Sequence, residues 1–278
     1  MKNKHGLTIC VDRGGTFTDL VAFAPDGRLY VHKILSTNNA GEAAAASAAT
    51  RKGIEELFAF VKEKCQEVDM TIAEVRAGTT VATNALLTRK GAPLILITNK
   101  GLADALLIGY QARSDIFALD IQRAAPLYER VLEIDCRMQA DGSIIKDIDA
   151  AEALAALKEL RRQYKEPPAI AILLMHSYLN DTHEKQLGEL ACQAGFEQIS
   201  LSSQVNRVIK YVGRGDTTCA DAYLTPPLKA YTQNLVKELA PIPVSFMKSD
   251  GGLASPSQFS GKDALLSGPA GGVVGAHM

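Results

Sequence analysis

The sequence lacks an excess of charge of either sign: 30 Lys and Arg face 31 Asp and Glu, for a net charge of −1. A protein that grips nucleic acid ordinarily carries a basic excess, so the balance argues against that class. There is no uncharged apolar run approaching the ~18 residues that a membrane-spanning helix needs. No apolar h-region follows Met1-Lys2-Asn3-Lys4-His5, so no secretory signal is read. Cysteine is sparse: Cys10, Cys65, Cys136, Cys192 and Cys219 are odd in number, far apart and form no C-x-x-C pair. That pattern excludes a disulfide framework or zinc site and fits a reduced, cytoplasmic compartment. Trp is absent and aromatics total 6%, but 47% hydrophobic and 22% charged residues is ordinary for a globular protein. The same figures exclude disorder as the main state. The length of 278 residues suggests two domains.

Periodicity and turn signals organise the chain. Runs 7–11, 20–24 and 29–35 read as strands, with the last two separated by Pro25-Asp26-Gly27. Together they predict an antiparallel meander. Ala- and Glu-rich residues 39–65 place Ile54, Leu57, Phe58 and Val61 at helical spacing. From Val75 onward, strands and helices alternate, which indicates an α/β protein. Residues 93–98, 131–136, 169–175, 199–202 and 243–247 read as strands, and 84–88, 101–108 and 149–164 as helices. Residues 109–130 show little periodicity and predict an extended excursion. Asp181-Thr182-His183-Glu184 resembles a capping box opening a helix that stops at Gly195. Pro226-Pro227 predicts a broken or kinked helix over 216–239, with Asp216 as N-cap.

The strongest single feature is Asp12-Arg13-Gly14-Gly15-Thr16-Phe17-Thr18-Asp19, set between two strands. Glycines allow a tight turn that brings backbone N–H groups close to a ligand, and successive N–H groups form an anion nest. Thr16 and Thr18 add hydroxyls, and Asp12 at the strand end can hold Mg²⁺ directly or through water. A plain hairpin with a Gly-Gly turn is the competing interpretation. No Gly-Lys-Thr/Ser follows, and the next element is a strand rather than a helix. The segment is therefore neither a Walker A loop nor a dinucleotide fingerprint.

A phosphate-binding hairpin joining strands resembles the ATP site of the actin, Hsp70 and sugar-kinase superfamily. Val11 to Asp19, and Gly78-Thr79-Thr80-Val81-Ala82-Thr83-Asn84-Ala85-Leu86-Leu87 with Arg89-Lys90-Gly91, are similar to the hydantoinase/5-oxoprolinase family. Gln111-Ala112-Arg113, Leu127-Tyr128-Glu129, Leu174 to Tyr178 and Arg214 to Pro226 resemble its 5-oxoprolinase branch. Phe246 to Leu253 and Leu266 to Gly275 complete a resemblance that spans essentially the whole chain.

The resemblance implies an RNase H-like first lobe with an inserted α/β subdomain. Residues 1–90 would begin the lobe, 91–204 form the insert, and 205–278 return to the lobe. Family members continue into a second Asp-x-Gly-Gly-Thr hairpin, so an N-terminal fragment of a longer polypeptide is expected, inactive in isolation. The implied activity is ATP-dependent opening of 5-oxo-L-proline to L-glutamate, with ATP and Mg²⁺ as cofactors. Asp12, Thr16 and Asp250 are the catalytic candidates, and Asp12 is also the metal candidate. Gly14, Gly15, Thr16, Thr18 and Asp19 are implied to contact phosphate, with Gly268, Gly271 and Gly272 of the closing glycine-rich helix. Asp19 could equally bond the hairpin's own backbone. Thr79, Thr80, Asn84, Arg113 and Arg214 are substrate candidates, against helix capping for the first three and ion pairing for the two arginines. Asp250-Gly251-Gly252 could face a cleft or form a simple turn. His176 and His183 lack an evident third ligand for a metal. Expected partners are the lactam, the rest of the polypeptide or a hydantoinase B-like subunit, and further copies of the chain, with no nucleic acid or membrane. The alternatives are an N-methylhydantoinase or another cyclic-amide or carboxylase relative, and a non-catalytic nucleotide- or protein-binding lobe.

Overall fold

A computed structural model describes residues 6–36, 43–66, 69–113, 115–117, 119–121 and 124–277. The chain begins with strands β1 (Gly6–Arg13), β2 (Phe17–Phe23) and β3 (Leu29–Leu35), then α1 (Ala43–Cys65), β4 (Thr71–Thr79) and α2 (Val81–Leu87). It continues through β5 (Leu94–Asn99), α3 (Ala105–Ile108), β6 (Arg130–Ile134), β7 (Arg137–Met138), β8 (Ile144–Lys146) and α4 (Ala150–Arg162). Next come β9 (Ala169–Leu173), α5 (Thr182–Gln193), β10 (Ile199–Leu201), α6 (Ser202–Val205) and α7 (Tyr211–Leu239). β11 (Val244–Met247), β12 (Leu253–Ala254), α8 (Gly261–Ala264) and α9 (Ser267–His277) end it. No helix among the described residues is long and apolar enough to cross a membrane.

Two compact units divide the chain, one of residues 1–90 and 227–278, the other of residues 91–226. The first is built on a six-stranded sheet in the order β12-β11-β4-β1-β2-β3. β1, β2 and β3 form the antiparallel meander, while β4 pairs parallel with both β1 and β11. Strand alternation sends Leu7, Ile9, Val11, Leu20, Ala22, Val75, Ala77 and Phe246 to one face, where all are buried. Ile54, Leu57 and Val61 of α1 are buried as well. Each such side chain contributes about 1.5–3 kcal/mol when fully removed from water. Gly53 sets the approach of this helix, because a Cβ there would stand 2.7 Å from Ile34 Cδ1 and 3.1 Å from Leu20 Cδ1.

The second unit has a four-stranded parallel sheet in the order β10-β9-β5-β6. Every residue of β5 and β9 is buried, as strands covered on both faces require. One face packs Ile95, Ile97, Ile170 and Ile172 against Leu157, Leu187 and Ala191 of α4 and α5.

Three sequence expectations are corrected here. α7 runs unbroken from Tyr211 to Leu239 through Pro226-Pro227, so Asp216 lies inside it and is no N-cap. Pro227 has no N–H to offer the Tyr223 carbonyl, and the Ala92 N–H donates to that oxygen instead at 3.0 Å. At α5 the expected capping box is absent. Asp181 makes no side-chain cap bond, and Glu184 is fully buried. Its carboxylate accepts from Leu174 N–H (3.0 Å), the Ser202 hydroxyl (2.6 Å) and Ser203 N–H (2.8 Å). The chain re-enters the first unit at residue 227, within α7 and later than residue 205, because an uninterrupted helix leaves no compositional mark at the crossing.

Candidate functional site

The glycine-rich turn sits between β1 and β2 in the first unit. Its Gly14 N–H donates to Phe17 O at 3.0 Å, and a Cβ on Gly14 would meet that same oxygen at 3.0 Å. A side chain at residue 14 would therefore press on the turn's own backbone. A Cβ on Gly15 would make an ordinary 3.6 Å contact with Asn84 Nδ2. Thr16 is exposed at the tip, and its carbonyl accepts from Ser36 N–H at 2.8 Å.

Asp12 stands on the outer sheet face, in register with Asp19 on β2 and Gly78 on β4. A Cβ on Gly78 would lie 3.3 Å from Asp12 Oδ1, and one on Gly268 would lie 3.9 Å from it. Two glycines from β4 and α9 therefore leave room beside one carboxylate. Displacement of water by surrounding protein pushes the Asp12 carboxyl above the usual carboxylate range, and the Asp19 charge adds to the rise.

β4 and α2 join at this place. The Thr80 N–H and hydroxyl both reach Arg13 O, at 3.1 and 3.0 Å, tying the start of α2 to the end of β1. Asn84 Nδ2 donates to Thr80 Oγ1 at 3.3 Å. Thr79 is buried, and its Oγ1 accepts from Val81 N–H at 3.2 Å. Ser267 donates to Thr79 O at 2.8 Å and Thr83 to Leu265 O at 2.6 Å, which anchors α9 beside Asp12.

Asp12, Gly14, Gly15, Thr16, Thr79, Thr80, Asn84 and Gly268 are therefore neighbours through these contacts. Thr18 points the other way: it is buried, and its hydroxyl shares a 2.8 Å hydrogen bond with Ser36 Oγ, which donates to Gly14 O. Asp19 forms an ion pair with Lys33 at 2.7 Å on the outer face. A Cβ on Gly271 would lie 4.0 Å from Met247 Cγ, and Gly272 follows it in α9. Asp250 is an exposed turn residue. Its partners are Lys248 Nζ at 2.7 Å and Gly252 N–H at 2.9 Å, and the Lys248 bond holds its carboxyl below the usual range.

Arg113 and Arg214 belong to the second unit. Arg113 is exposed in the excursion before β6. Arg214 is 1% exposed and is neither a free anion ligand nor a surface ion pair. It donates to Ser202 Oγ (2.9 Å), Val208 O (2.8 Å) and Leu174 O (2.6 Å), between the Tyr178 and Tyr211 rings. Burial lowers its pKa, and Glu184, reached through Ser202, opposes that shift. His183 is buried against Asp147 at 2.9 Å. No group of three His, Cys, Asp or Glu among the described residues could hold a metal ion.

Sequence reasoning missed Ser36, Gly78 and Ser267, and it took Glu184 for a capping residue rather than a buried one. Gly78 and Ser267 lay inside quoted motifs, with nothing to distinguish them from their neighbours. Ser36 had no local signal, because its partners lie on the β1–β2 hairpin, and the local pattern at Glu184 pointed to a cap because its true partners are on other elements.

A mixed α/β protein with a glycine-rich hairpin beside a lone carboxylate is the class these features define. Residues 8–195 match the hydantoinase/oxoprolinase N-terminal region, and residues 214–278 match the hydantoinase/oxoprolinase family. The chain belongs to that family. It is 40% identical to 5-oxoprolinase 1 of Arabidopsis thaliana, over 97% of this chain and 23% of that protein. The chain thus spans about a quarter of that relative's length. The nucleotide-free structure of acetone carboxylase superposes with a TM-score of 0.79 at 22% identity, over 97% of this chain and 40% of that one. ATP-dependent caprolactamase from Pseudomonas jessenii does so with a TM-score of 0.77 at 26% identity, over 95% and 39%.

Proposed function

We propose that this chain is the ATP-handling N-terminal part of an ATP-dependent 5-oxoprolinase that opens 5-oxo-L-proline to L-glutamate. The observation that carries the proposal is the Asp12 carboxylate, with space kept beside it by Gly78 and Gly268 and the Gly14–Thr16 turn adjacent. In this reading the first unit is an RNase H-like lobe of the actin-type ATPases and the second is its insert. Backbone N–H groups of the turn and the Thr16 hydroxyl hold phosphate oxygens. Asn84, braced by Thr80, flanks the turn from α2.

A single carboxylate with open space fits Mg²⁺, which keeps much of its water and is held mostly by phosphate oxygens. Asp12 would hold that ion directly or through water. When bound, the ion neutralises charge on the transferring phosphoryl group. Thr18, Ser36 and Asp19 act indirectly, by fixing the shape of the hairpin. The partners are the lactam, the remainder of a longer polypeptide or a B-like subunit, and a further copy of the chain. The setting is cytoplasmic.

The test is 5-oxo-L-proline-dependent ATP hydrolysis by the polypeptide that carries this sequence. Glutamate and ADP should form in step, and Asp12→Asn should lower kcat by about 10²-fold or more. Turnover of N-methylhydantoin or caprolactam instead would overturn the substrate while leaving the hairpin role intact. Unchanged turnover in Asp12→Asn would overturn the hairpin role.

A further inference from the structure

Arg13 ends β1, between Asp12 and the Gly14-Gly15 turn. Strand alternation puts it on the sheet face opposite Asp12, in register with the buried Thr18 of β2 and Thr79 of β4. Its backbone is fixed, because the Thr80 N–H and hydroxyl both bond Arg13 O. Its half-buried side chain is fixed as well, with Cζ 5.4 Å from the centroid of the Tyr231 ring. Tyr231 is buried in the part of α7 that belongs to the same unit. A ring face attracts the cation but leaves the in-plane N–H donors of the guanidinium without acceptors. Arg28, Arg51 and Arg76 of this unit each pair with a carboxylate, of Asp26, Glu55 and Glu74. Arg13 differs: among the described residues its guanidinium makes no hydrogen bond and no ion pair. A held, half-buried guanidinium with unspent donors beside the hairpin suits an anion that comes from outside the fold.

We propose that Arg13 binds the carboxylate of the lactam substrate and so selects cyclic amides that carry one. The inference rests on the 5-oxoprolinase reading above. That reading brings two anions to the hairpin, the nucleotide phosphates and the 5-oxo-L-proline carboxylate. Asp12 and the N–H groups of the turn serve the phosphates and their metal. Arg13 leaves β1 on the other face, so the second anion is its ligand. The lactam has to lie beside the transferring phosphoryl group, which brings the carboxylate of the same small ring near the turn. The planar guanidinium offers that carboxylate two parallel N–H···O bonds. Arg214 cannot take this role, since its donors are spent on Ser202, Val208 and Leu174. Arg113 is no part of the unit that holds the hairpin. A lactam without a carboxylate leaves the Arg13 charge unpaired, and discrimination follows from that difference.

Steady-state kinetics of the polypeptide that carries this sequence tests this, with 5-oxo-L-proline and ATP varied separately. Arg13→Gln should lower kcat/KM for 5-oxo-L-proline by about 10–100-fold, as loss of charge-assisted hydrogen bonds does. The KM for ATP should stay within about twofold of the parent value, roughly the scatter expected when no phosphate contact is lost. Inhibition by 2-pyrrolidone, the same ring without the carboxylate, should be alike in parent and variant. Arg13→Lys keeps the charge without the fork and should fall between parent and Arg13→Gln. Tyr231→Leu removes the ring under the guanidinium and should act on the same constant in the same direction, while Tyr231→Phe keeps the parent value. A KM for ATP that rises as much as that for 5-oxo-L-proline, or more, overturns the proposal in favour of a phosphate ligand. Where circular dichroism shows that Arg13→Gln does not fold, Arg13→Lys decides, and a parent-like kcat/KM in it overturns the proposal. A parent without 5-oxo-L-proline-dependent ATP hydrolysis overturns the 5-oxoprolinase reading and this inference with it. An active parent with unchanged kinetics in Arg13→Gln overturns this inference alone.

Discussion

Asp12 shows how a functional side chain works against the fold that holds it. Its carboxyl is raised above the usual range because surrounding protein disfavours the charged form and Asp19 repels it. A raised carboxyl means that the folded chain favours the protonated form. Its stabilising contribution is complete below the unfolded carboxylate range and is lost as pH climbs through the raised value. At neutral pH the ionised group is therefore a cost to stability. Asp12→Asn should melt at the same temperature as the parent in acid and higher than the parent at neutral pH. Scanning calorimetry across that pH range checks this, and a lower melting temperature for the variant at neutral pH contradicts it. Arg214 is the opposite case. Its charge is buried deep in the second unit, yet its three hydrogen bonds and two flanking rings account for it as a structural hub.

Secondary-structure elements here depend on distant partners as much as on their own sequence. Where Pro227 interrupts the hydrogen-bond ladder of α7, the orphaned Tyr223 carbonyl finds the Ala92 N–H. The same neighbourhood explains Gly91. A Cβ there would fall 2.1 Å from Tyr223 Cε1 and 2.3 Å from Cδ1, and a ring cannot yield as a flexible chain end can. Gly91→Ala should destabilise the protein by about 1–3 kcal/mol through forced repacking. Urea unfolding measures this, and an unchanged midpoint would show that the α7 ring has room to move. The β1–β2 hairpin is similar in kind. Its tight turn is readable from Gly14-Gly15, but its support comes from Ser36, a full strand further on.

Taken whole, the molecule is one segment inserted within another. Residues 91–226 are continuous and have their own parallel sheet and core, whereas the other unit needs residues 1–90 and 227–278 together. A continuous segment with its own core can fold alone. Residues 91–226 expressed by themselves should therefore show a single cooperative thermal transition. A featureless melt would mean that the segment depends on the rest of the chain. Residues 1–90 alone should not fold cooperatively, because β11 pairs with β4 from beyond the insert.

Local pattern was enough for the meander, the buried strands β5 and β9, the helix read over 149–164, which runs over Ala150–Arg162 with Asp149 as its cap, and the glycine-rich turn beside Asp12. Each depends on periodicity or turn chemistry acting over a few residues, which a linear sequence records directly. Folding in three dimensions set the rest: the inward turn of Thr18, the burial of Glu184 and Arg214, the continuity of α7, and the placing of Gly78 and Gly268 on either side of one carboxylate. Most of these rest on pairings between groups on different elements, up to hundreds of residues apart. A polar side chain gives no local sign of whether its partner will be water or another buried group, because that depends on which elements pack against it.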